Sequence, residues 1–509
     1  MSVKVLSAAV IGLDCELVEV EADNSPDGGQ IGIFIVGLPD KAVDESKGRV
    51  RSAVKNSGLA FPRGHVTINL APADLPKRGT YYDLPVAVSC LAQAGQIDLS
   101  RNWRELLFVG ELALDGALRP VSGILSIAMM CEQKKIKKLF VPHENAREAR
   151  LVKGIEVYPV SSLEQLVRHL REDDLIPAFT DDDFDYFKTP EPLVDMAYIK
   201  GQELAKRALE IAAAGSHNIL MSGPPGSGKT LLAKALPSIL PRMTLAESLE
   251  VTRIYSTAGM LPADQPLVTS RPFRSPHHSA SAVALVGGGG WPRPGEISLS
   301  HRGVLFLDEF LEFPKLVLEN LRQPLEDGTV SISRATGTLR FPAKFILAAA
   351  MNPCPCGYLT DPERDCHCHP AEIIRYQKRA SGPLLDRIDL HLEVPRVKFE
   401  KLESDDLAET SQTIGERVQT ARNIQSKRFL TEKIIDNSEM SPEQIKKYCP
   451  IDEAGKQLLK QAVAQLHLSA RAYFRVLKLA RTIADLEAEA NILTCHLAEA
   501  LQYRPKMEN

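Results

Sequence analysis

No stretch of the 509-residue chain approaches the ~18 consecutive apolar residues of a membrane-spanning helix. The apolar run from Ala8 to Leu13 is cut short by Asp14 and Glu16, so no secretory signal fits either. Strong charge of one sign is also missing. Lys and Arg number 61 against 65 Asp and Glu, a net charge of −4, so no global field draws a polyanion. Any nucleic-acid contact must therefore come from local basic surface. A disulfide framework is absent too, because Cys15, Cys90, Cys131, Cys449 and Cys495 are scattered, as suits free thiols in a reducing cytosol. There is no short internal repeat. What remains is the composition of an ordinary globular protein, 44% hydrophobic and 25% charged, too long for one core.

Alternation of short β-rich runs ("QIGIFIVGL", "HVTINLAP", "KKLFVP", "IEVYPV") with helical stretches predicts an α/β domain over residues 1–175. Residues 176–195, acidic and proline-bearing without apolar period, read as a linker. Over 196–397 the alternation resumes with strands apolar at every position, "NILMSG", "GVLFLDEF" and "FILAAAMNP", as in a parallel sheet buried on both faces. From 398 to 509 the pattern is helical, as in a lid.

"GPPGSGKT" follows one of these strands and opens a helix, which is the required setting for a phosphate-binding loop. Gly223, Pro224, Pro225, Gly226, Ser227 and Gly228 would turn backbone N–H groups onto phosphate oxygens. Lys229 would reach the β- and γ-phosphates, and the Thr230 hydroxyl would ligate Mg²⁺. Asp308, ending "GVLFLDEF", can hold Mg²⁺ through water, and Glu309 can polarise the attacking water. ATP with Mg²⁺ is the expected cofactor pair.

"YIKGQELAKRALEIAAAGSHNILMSGPPGSGKT", "LFLDEF", "AAAMNPCPCG" and "SGPLLDRIDL" together resemble the magnesium-chelatase-like branch of the AAA+ ATPases, and within it the YifB/ComM family, over essentially the whole chain. The resemblance implies an AAA+ core with a helical lid. It implies that Gly201 and Gln202 lie near the adenine and that Asn352 is the sensor orienting the lytic water. It makes Arg387 an arginine finger inserted into the neighbouring subunit's site. Arg471 would be the lid sensor for the γ-phosphate, with Arg475 as second choice. A fixed guanidinium suits transition-state phosphoryl charge. A finger acting in trans implies a homo-oligomeric ring, and the family suggests a hexamer.

The front region, with "LPKRGTYYDLPVAVSCLAQAG" and "GELALDGALRPVSGILSIAMMCEQKKIKKLFVPHENARE", resembles the Lon protease domain. Laid on that pattern, Tyr81 stands at the nucleophile position and Leu125 at the position of the lysine base. A phenol is a poor acyl nucleophile and Leu accepts no proton, so proteolysis is not expected.

Two inserted segments are candidates for a polymer track. Residues 270–303 carry four arginines, three histidines, four successive glycines and Trp291, with Glu296 as the one acid. Residues 329–345 have hairpin character, with Arg334, Arg340 and Lys344 unopposed by local acids. Single-stranded or branched DNA is the expected partner, and the resemblance implies branch migration during natural transformation and recombination. The alternatives are a magnesium-chelatase-type motor remodelling a protein partner and a nucleotide-gated assembly platform. Finally, Cys354, Cys356, Cys366 and Cys368 form two C-x-C pairs around a turn-rich loop, the pattern of a structural Zn²⁺ knuckle in which His367 or His369 could replace a thiolate.

Overall fold

The computed structural model describes residues 2–25, 32–100, 102–180, 194–262, 264–289, 292–334, 337–397 and 407–504, without the side chains at 334 and 337. They form two compact units, Met1–Lys188 with Ser248–Thr269, and Thr189–Glu247 with Ser270–Asn509. Most of the expected linker, 181–193, lies outside the described residues, as does Trp291. Among the described residues, no helix is long and apolar enough to cross a membrane.

In the first unit, Val3–Ile11 and Asp14–Ser25 pair antiparallel across a turn at Gly12, whose φ of 64° suits glycine. They sit inside a seven-stranded sheet ordered Gly32–Val36, His65–Ala71, Asp14–Ser25, Val3–Ile11, Leu106–Phe108, Lys138–Pro142, Glu156–Val160. Alternation along Val3–Ile11 sends Val5 and Ala9 into one apolar cluster and Leu6 and Ala8 into another, so the sheet is covered on both faces. Residues 248–269, inside the stretch 196–397 by sequence, pack with this unit. Arg253 reaches Ser126 Oγ and Asp14 Oδ1, each at 3.1 Å. Ser256 Oγ accepts the Gly123 N–H at 3.0 Å and donates to Glu148. Glu148 in turn accepts the Leu125 N–H at 2.8 Å. Two free donors at the start of the helix Ile124–Lys134 are satisfied in this way.

The second unit is built on five parallel strands ordered Phe273–Arg274, Val304–Leu307, Ile346–Met351, Ile219–Ser222, Leu390–Glu393. Val304–Leu307 is buried at every position and Ile346–Met351 at all but its last, as their unbroken apolar sequence predicts. The alanine-rich helix Glu203–Gly215 packs against this sheet and against the C-terminal helices Ser411–Arg428 and Ala470–Leu486 in one core. Those two helices and Glu453–Gln465 begin at Thr410, Ser469 and Asp452, whose side-chain oxygens each accept a first-turn N–H.

Candidate nucleotide site and its surroundings

The phosphate-binding loop runs from the end of the strand Ile219–Ser222 to the helix Lys229–Ala235. Gly226 and Gly228 have φ of 77° and 93°, the left-handed region that lets successive N–H groups turn inward. Lys229 is buried, and its ammonium donates to the Gly223 and Pro224 carbonyls at 2.7 and 2.8 Å. Burial lowers it to about 8, with Asp308 opposing the shift. Phosphate oxygens would compete for these same donors. Thr230 Oγ1 donates to Asp308 Oδ2 at 2.8 Å, so the two oxygens expected at Mg²⁺ converge. The Gln202 amide ties the loop to the chain beyond the last strand, donating to Pro395 O at 2.5 Å and Ser227 O at 3.3 Å. Gly201 and Gln202 both have left-handed backbone (φ 64° and 58°) as the chain enters the helix Glu203–Gly215.

Asn352 follows Met351, which pairs with Ser222 and whose carbonyl accepts the Gly223 N–H at 3.3 Å. The expected sensor thus lies at the phosphate-loop edge of the sheet. Glu309, beside Asp308, has φ of 51°, an uncommon conformation for this residue type. Its Oε2 lies 2.9 Å from His278 Nδ1, a partner that nothing in the sequence singled out.

Arg387, Arg471 and Arg475 gather elsewhere. Asn218, the residue before the strand Ile219–Ser222, donates its side-chain amide to Arg387 O at 3.2 Å and its N–H to Asp389 Oδ2 at 3.0 Å. These residues therefore lie at the opposite ends of the strands, a strand length of ~13 Å from the phosphate loop. Glu326 bridges two of the arginines, accepting from Arg387 Nη2 through Oε2 and from Arg471 Nη2 through Oε1 at 2.8 Å. The hydrogen bond from Arg387 holds the Glu326 carboxyl below its ordinary value. Arg475 Nη1 stands 3.5 Å from Asp389 Oδ1. Burial works against the Asp389 charge, but Arg475 and His217 overcome it and hold the carboxyl well below the usual range. Arg471 and Arg475 thus both sit near Arg387 rather than near Lys229. Glu326 is a further residue that the sequence reading missed.

The four thiols of the two C-x-C pairs come together, all within 4.8 Å of one another. Cys354 Sγ lies 3.3 Å from Cys356 Sγ, and Cys366 Sγ lies 3.6 Å from each. Four sulfurs at ~2.3 Å from a tetrahedral zinc stand ~3.8 Å apart, so the set fits that ion. Burial would raise the Cys356 thiol, but the Tyr358 N–H and the neighbouring thiols outweigh it and draw it down, favouring a thiolate. The histidines take no part: His367 is exposed, and His369 Nδ1 accepts the Ala371 N–H as the cap of the helix Pro370–Gln377. The cysteine loop rests on the nucleotide site. A Cβ on Gly357 would stand 2.7 Å from Pro225 Cδ and 3.7 Å from Asn352 Cγ.

The inserted segments are less basic than their sequence. Lys344, expected to lack an acid, pairs with Glu439 at 2.8 Å. Arg302 pairs with the same carboxylate at 3.1 Å, Arg271 with Glu247 at 3.1 Å, and Arg274 with Glu296 through two bonds of 2.6 and 2.7 Å. Lys344 is therefore a structural cation: Glu439, which opposes it and Arg302, comes from the C-terminal helical region, whereas Glu296 lies in the same inserted segment as Arg274. Arg293 and Arg340 are exposed. Thr329–Arg334 and Gly337–Pro342 form the expected hairpin, with Arg334 opposite Gly337 and Ser331 opposite Arg340. A second small hairpin pairs Gly287–Gly288 with Arg293–Pro294, and it abuts the first, since a Cβ on Gly287 would lie 2.9 Å from Ile332 Cδ1.

In the front unit, the Tyr81 hydroxyl accepts the Val10 N–H at 3.4 Å, and burial pushes the phenol up to about 12. Leu125 is fully buried in the helix Ile124–Lys134. Neither position offers a nucleophile or a base.

Three family profiles match the chain. Magnesium chelatase subunit ChlI matches residues 195–402, subunit ChlI of Mg-chelatase matches 18–145, and the ChlI C-terminal profile matches 408–504. The competence protein ComM of Haemophilus influenzae is 44% identical, covering 98% of this chain and 97% of its own. The uncharacterized protein YifB of Salmonella typhimurium is 42% identical, covering 97% and 96%. A shorter match of 40% identity over 78 residues is to an archaeal Lon protease from Halobacterium salinarum, covering 15% of this chain and 11% of that protein. A five-stranded parallel sheet carrying a phosphate loop, a helical C-terminal region and full-length identity above 40% leave one assignment: the chain belongs to the YifB/ComM family of magnesium-chelatase-like AAA+ proteins.

Proposed function

We propose that this protein is an ATP-hydrolysing ring motor that acts on DNA, moving single or branched strands during uptake and recombination of transforming DNA. The observation that carries the ring is the division of the site. Lys229, Thr230, Asp308 and Glu309 lie beyond the C-terminal ends of the strands, while Arg387 and Arg471 lie toward their N-terminal ends. A chain with both halves and no means of joining them itself needs a second copy, and a head-to-tail interface repeated by rotation closes a ring. The family suggests six subunits. On this reading Arg471 serves the neighbour's γ-phosphate beside Arg387, as a lid sensor acting in trans.

Within each site the loop N–H groups and Lys229 hold the phosphates, and Gly201 and Gln202 flank the base. Thr230 and Asp308 would hold Mg²⁺, which would supply positive charge against the phosphates. A Glu309 carboxylate oxygen takes the proton of the attacking water, which Asn352 orients, and the neighbour's Arg387 meets the developing charge. Cys354, Cys356, Cys366 and Cys368 would hold a structural Zn²⁺, which would fix the loop resting on Pro225.

Two findings support DNA as the partner: the full-length similarity to the Haemophilus competence protein ComM, and the exposed Arg293 and Arg340 on adjoining hairpins. The five scattered cysteines, Cys15, Cys90, Cys131, Cys449 and Cys495, form no disulfide and suit a reducing cytosol. The front unit serves as a platform and not as a protease. The test is branch migration of a synthetic four-way junction, with Glu309→Gln as control. ATP-dependent conversion by the wild type alone supports the proposal. ATP turnover with no effect of DNA and no junction conversion would favour a chelatase-type motor acting on a protein partner.

A further inference from the structure

Beside Arg387 the second unit holds a cavity of about 560 Å³, a size that takes small-molecule ligands. The roles above use only Arg387 and Arg471 among the side chains that line it. Eight basic and six acidic side chains face this space, and the acids are shared. Glu326 serves both Arg387 and Arg471, and Glu439 serves both Arg302 and Lys344. Lys478 makes no ion pair among the described residues, and its ammonium donates to Ser438 O at 2.6 Å. Arg471, Arg475 and Lys478 follow one another at spacings of four and three along the helix Ala470–Leu486. Three like charges thus stand in one row, an arrangement that repels itself. Burial pulls the Lys478 ammonium below its ordinary value; Asp389 opposes that shift and Arg475 adds to it. Arg475 Nη1 and Arg387 Nε are buried and make no hydrogen bond among the described residues, although nearly all such groups in protein interiors find a partner. Idle donors and surplus positive charge around one space are what an anion completes.

We propose that this cavity binds an inorganic oxyanion of the phosphate class on Arg475 and Lys478, and that it receives the phosphate released at the neighbouring subunit's nucleotide. The site rests on this chain alone, whereas the source of its ligand rests on the ring reading. Eight cations against six acids leave an excess of about two positive charges, close to the charge that a phosphate group carries near neutral pH. A guanidinium and an ammonium side by side suit such an ion, since each hydrogen bond to its oxygens is charge-assisted. A nucleotide offers the same oxygens, and the experiment below separates the two. The cavity shares Arg387 and Arg471 with the surface that would meet the neighbour's γ-phosphate, so a cleaved phosphate has a short way to travel. Once moved onto Arg475 and Lys478 it has left the reacting geometry, which makes the cleavage harder to reverse while the diphosphate is still bound.

The test is calorimetric binding of inorganic phosphate to nucleotide-free, full-length protein. Lys229→Ala serves as the parent because it removes the phosphate-loop site, and Lys478→Met or Lys478→Arg is added to it. Met keeps most of the side-chain volume and drops the charge, and melting temperatures verify that each protein is folded. The parent should show one saturable site, and Lys478→Met should weaken it about ten- to a hundredfold, the effect of losing a hydrogen bond to a charged group. Lys478→Arg, which keeps the charge, should retain most of the binding. No saturable binding by the parent overturns the site, whatever the variants do. Binding that folded Lys478→Met leaves unchanged overturns its place in this cavity. ADP bound by the parent more tightly than phosphate, and lost with Lys478→Met, overturns inorganic phosphate as the ligand in favour of a nucleotide. The source is tested by ATP turnover at rising phosphate, which should inhibit the wild type about tenfold more strongly than the single variant Lys478→Met. Phosphate that binds the cavity without inhibiting turnover overturns the product role and upholds the site. Phosphate binding together with full turnover in Arg387→Ala overturns the ring reading and the routing from a neighbour, and again upholds the site.

Discussion

Replacing Arg387 with Ala tests the divided site. The side chain is buried, with Nη1 donating to Pro383 O at 2.6 Å and Nη2 to Glu326. Its removal leaves Glu326 paired with Arg471, so no charge is stranded. The cost in stability should be only ~1–2 kcal/mol. Nucleotide affinity should change little, because the residue is a strand length from Lys229. Turnover should fall by ~10³–10⁵, about 4–7 kcal/mol of barrier, the usual worth of an arginine finger. Lys229→Ala should be inactive for a different reason, loss of phosphate binding. In rings assembled from equal amounts of both variants, about a quarter of interfaces present an intact loop to an intact Arg387, so roughly a quarter of wild-type turnover should return if sites fire independently. The assay is phosphate release across mixing ratios, with mixed rings verified by mass. If no activity returns at any ratio, Arg387 does not act across a subunit boundary.

Glu309→Gln should bind ATP normally and hydrolyse it ~10²–10⁴-fold more slowly, accumulating as assembled rings on DNA; a wild-type rate would remove Glu309 from its assigned role. Elemental analysis of protein purified without added metal should find about one zinc per chain, and Cys366→Ser should weaken assembly and turnover before the front unit unfolds; a zinc-free preparation with full activity contradicts the knuckle. Replacing Arg334 and Arg340 together with Ala should reduce the slope of log affinity for DNA against log salt by about two and lower the DNA-stimulated rate. Lys344→Ala, which removes a partner of Glu439, should instead lower the melting temperature without changing that slope. Gly357→Ala, which drives a methyl group onto Pro225 in a φ of 84°, should raise KM for ATP.

Much of the second unit is written locally. The phosphate loop, the buried strands and the helix starts at Thr410, Asp452 and Ser469 each depend on residues within a few positions of one another. The two C-x-C pairs are likewise legible because the loop between them is short. Partners distant in sequence were not legible. Lys344 and Glu439 are 95 positions apart, Arg471 and Glu326 are 145 apart, and Ser256 and Glu148 are 108 apart. Local charge counting made residues 329–345 seem unopposed because the acid that neutralises Lys344 comes from the helical region. The same limit hid His278, whose meaning depends on a carboxylate that the parallel strand order brings to its side. It also placed 248–269 with the core by sequence, whereas three side chains, Arg253, Ser256 and Glu148, tie the segment to the front unit.

The most direct measurement of the central claim is the ATPase rate of the wild type with and without single-stranded and four-way-junction DNA, over a salt series at fixed MgATP. A DNA-driven ring motor predicts a rate that rises with DNA and loses that rise steeply as salt increases, because phosphate contacts release counterions. A rate that DNA leaves unchanged at every salt concentration would contradict it.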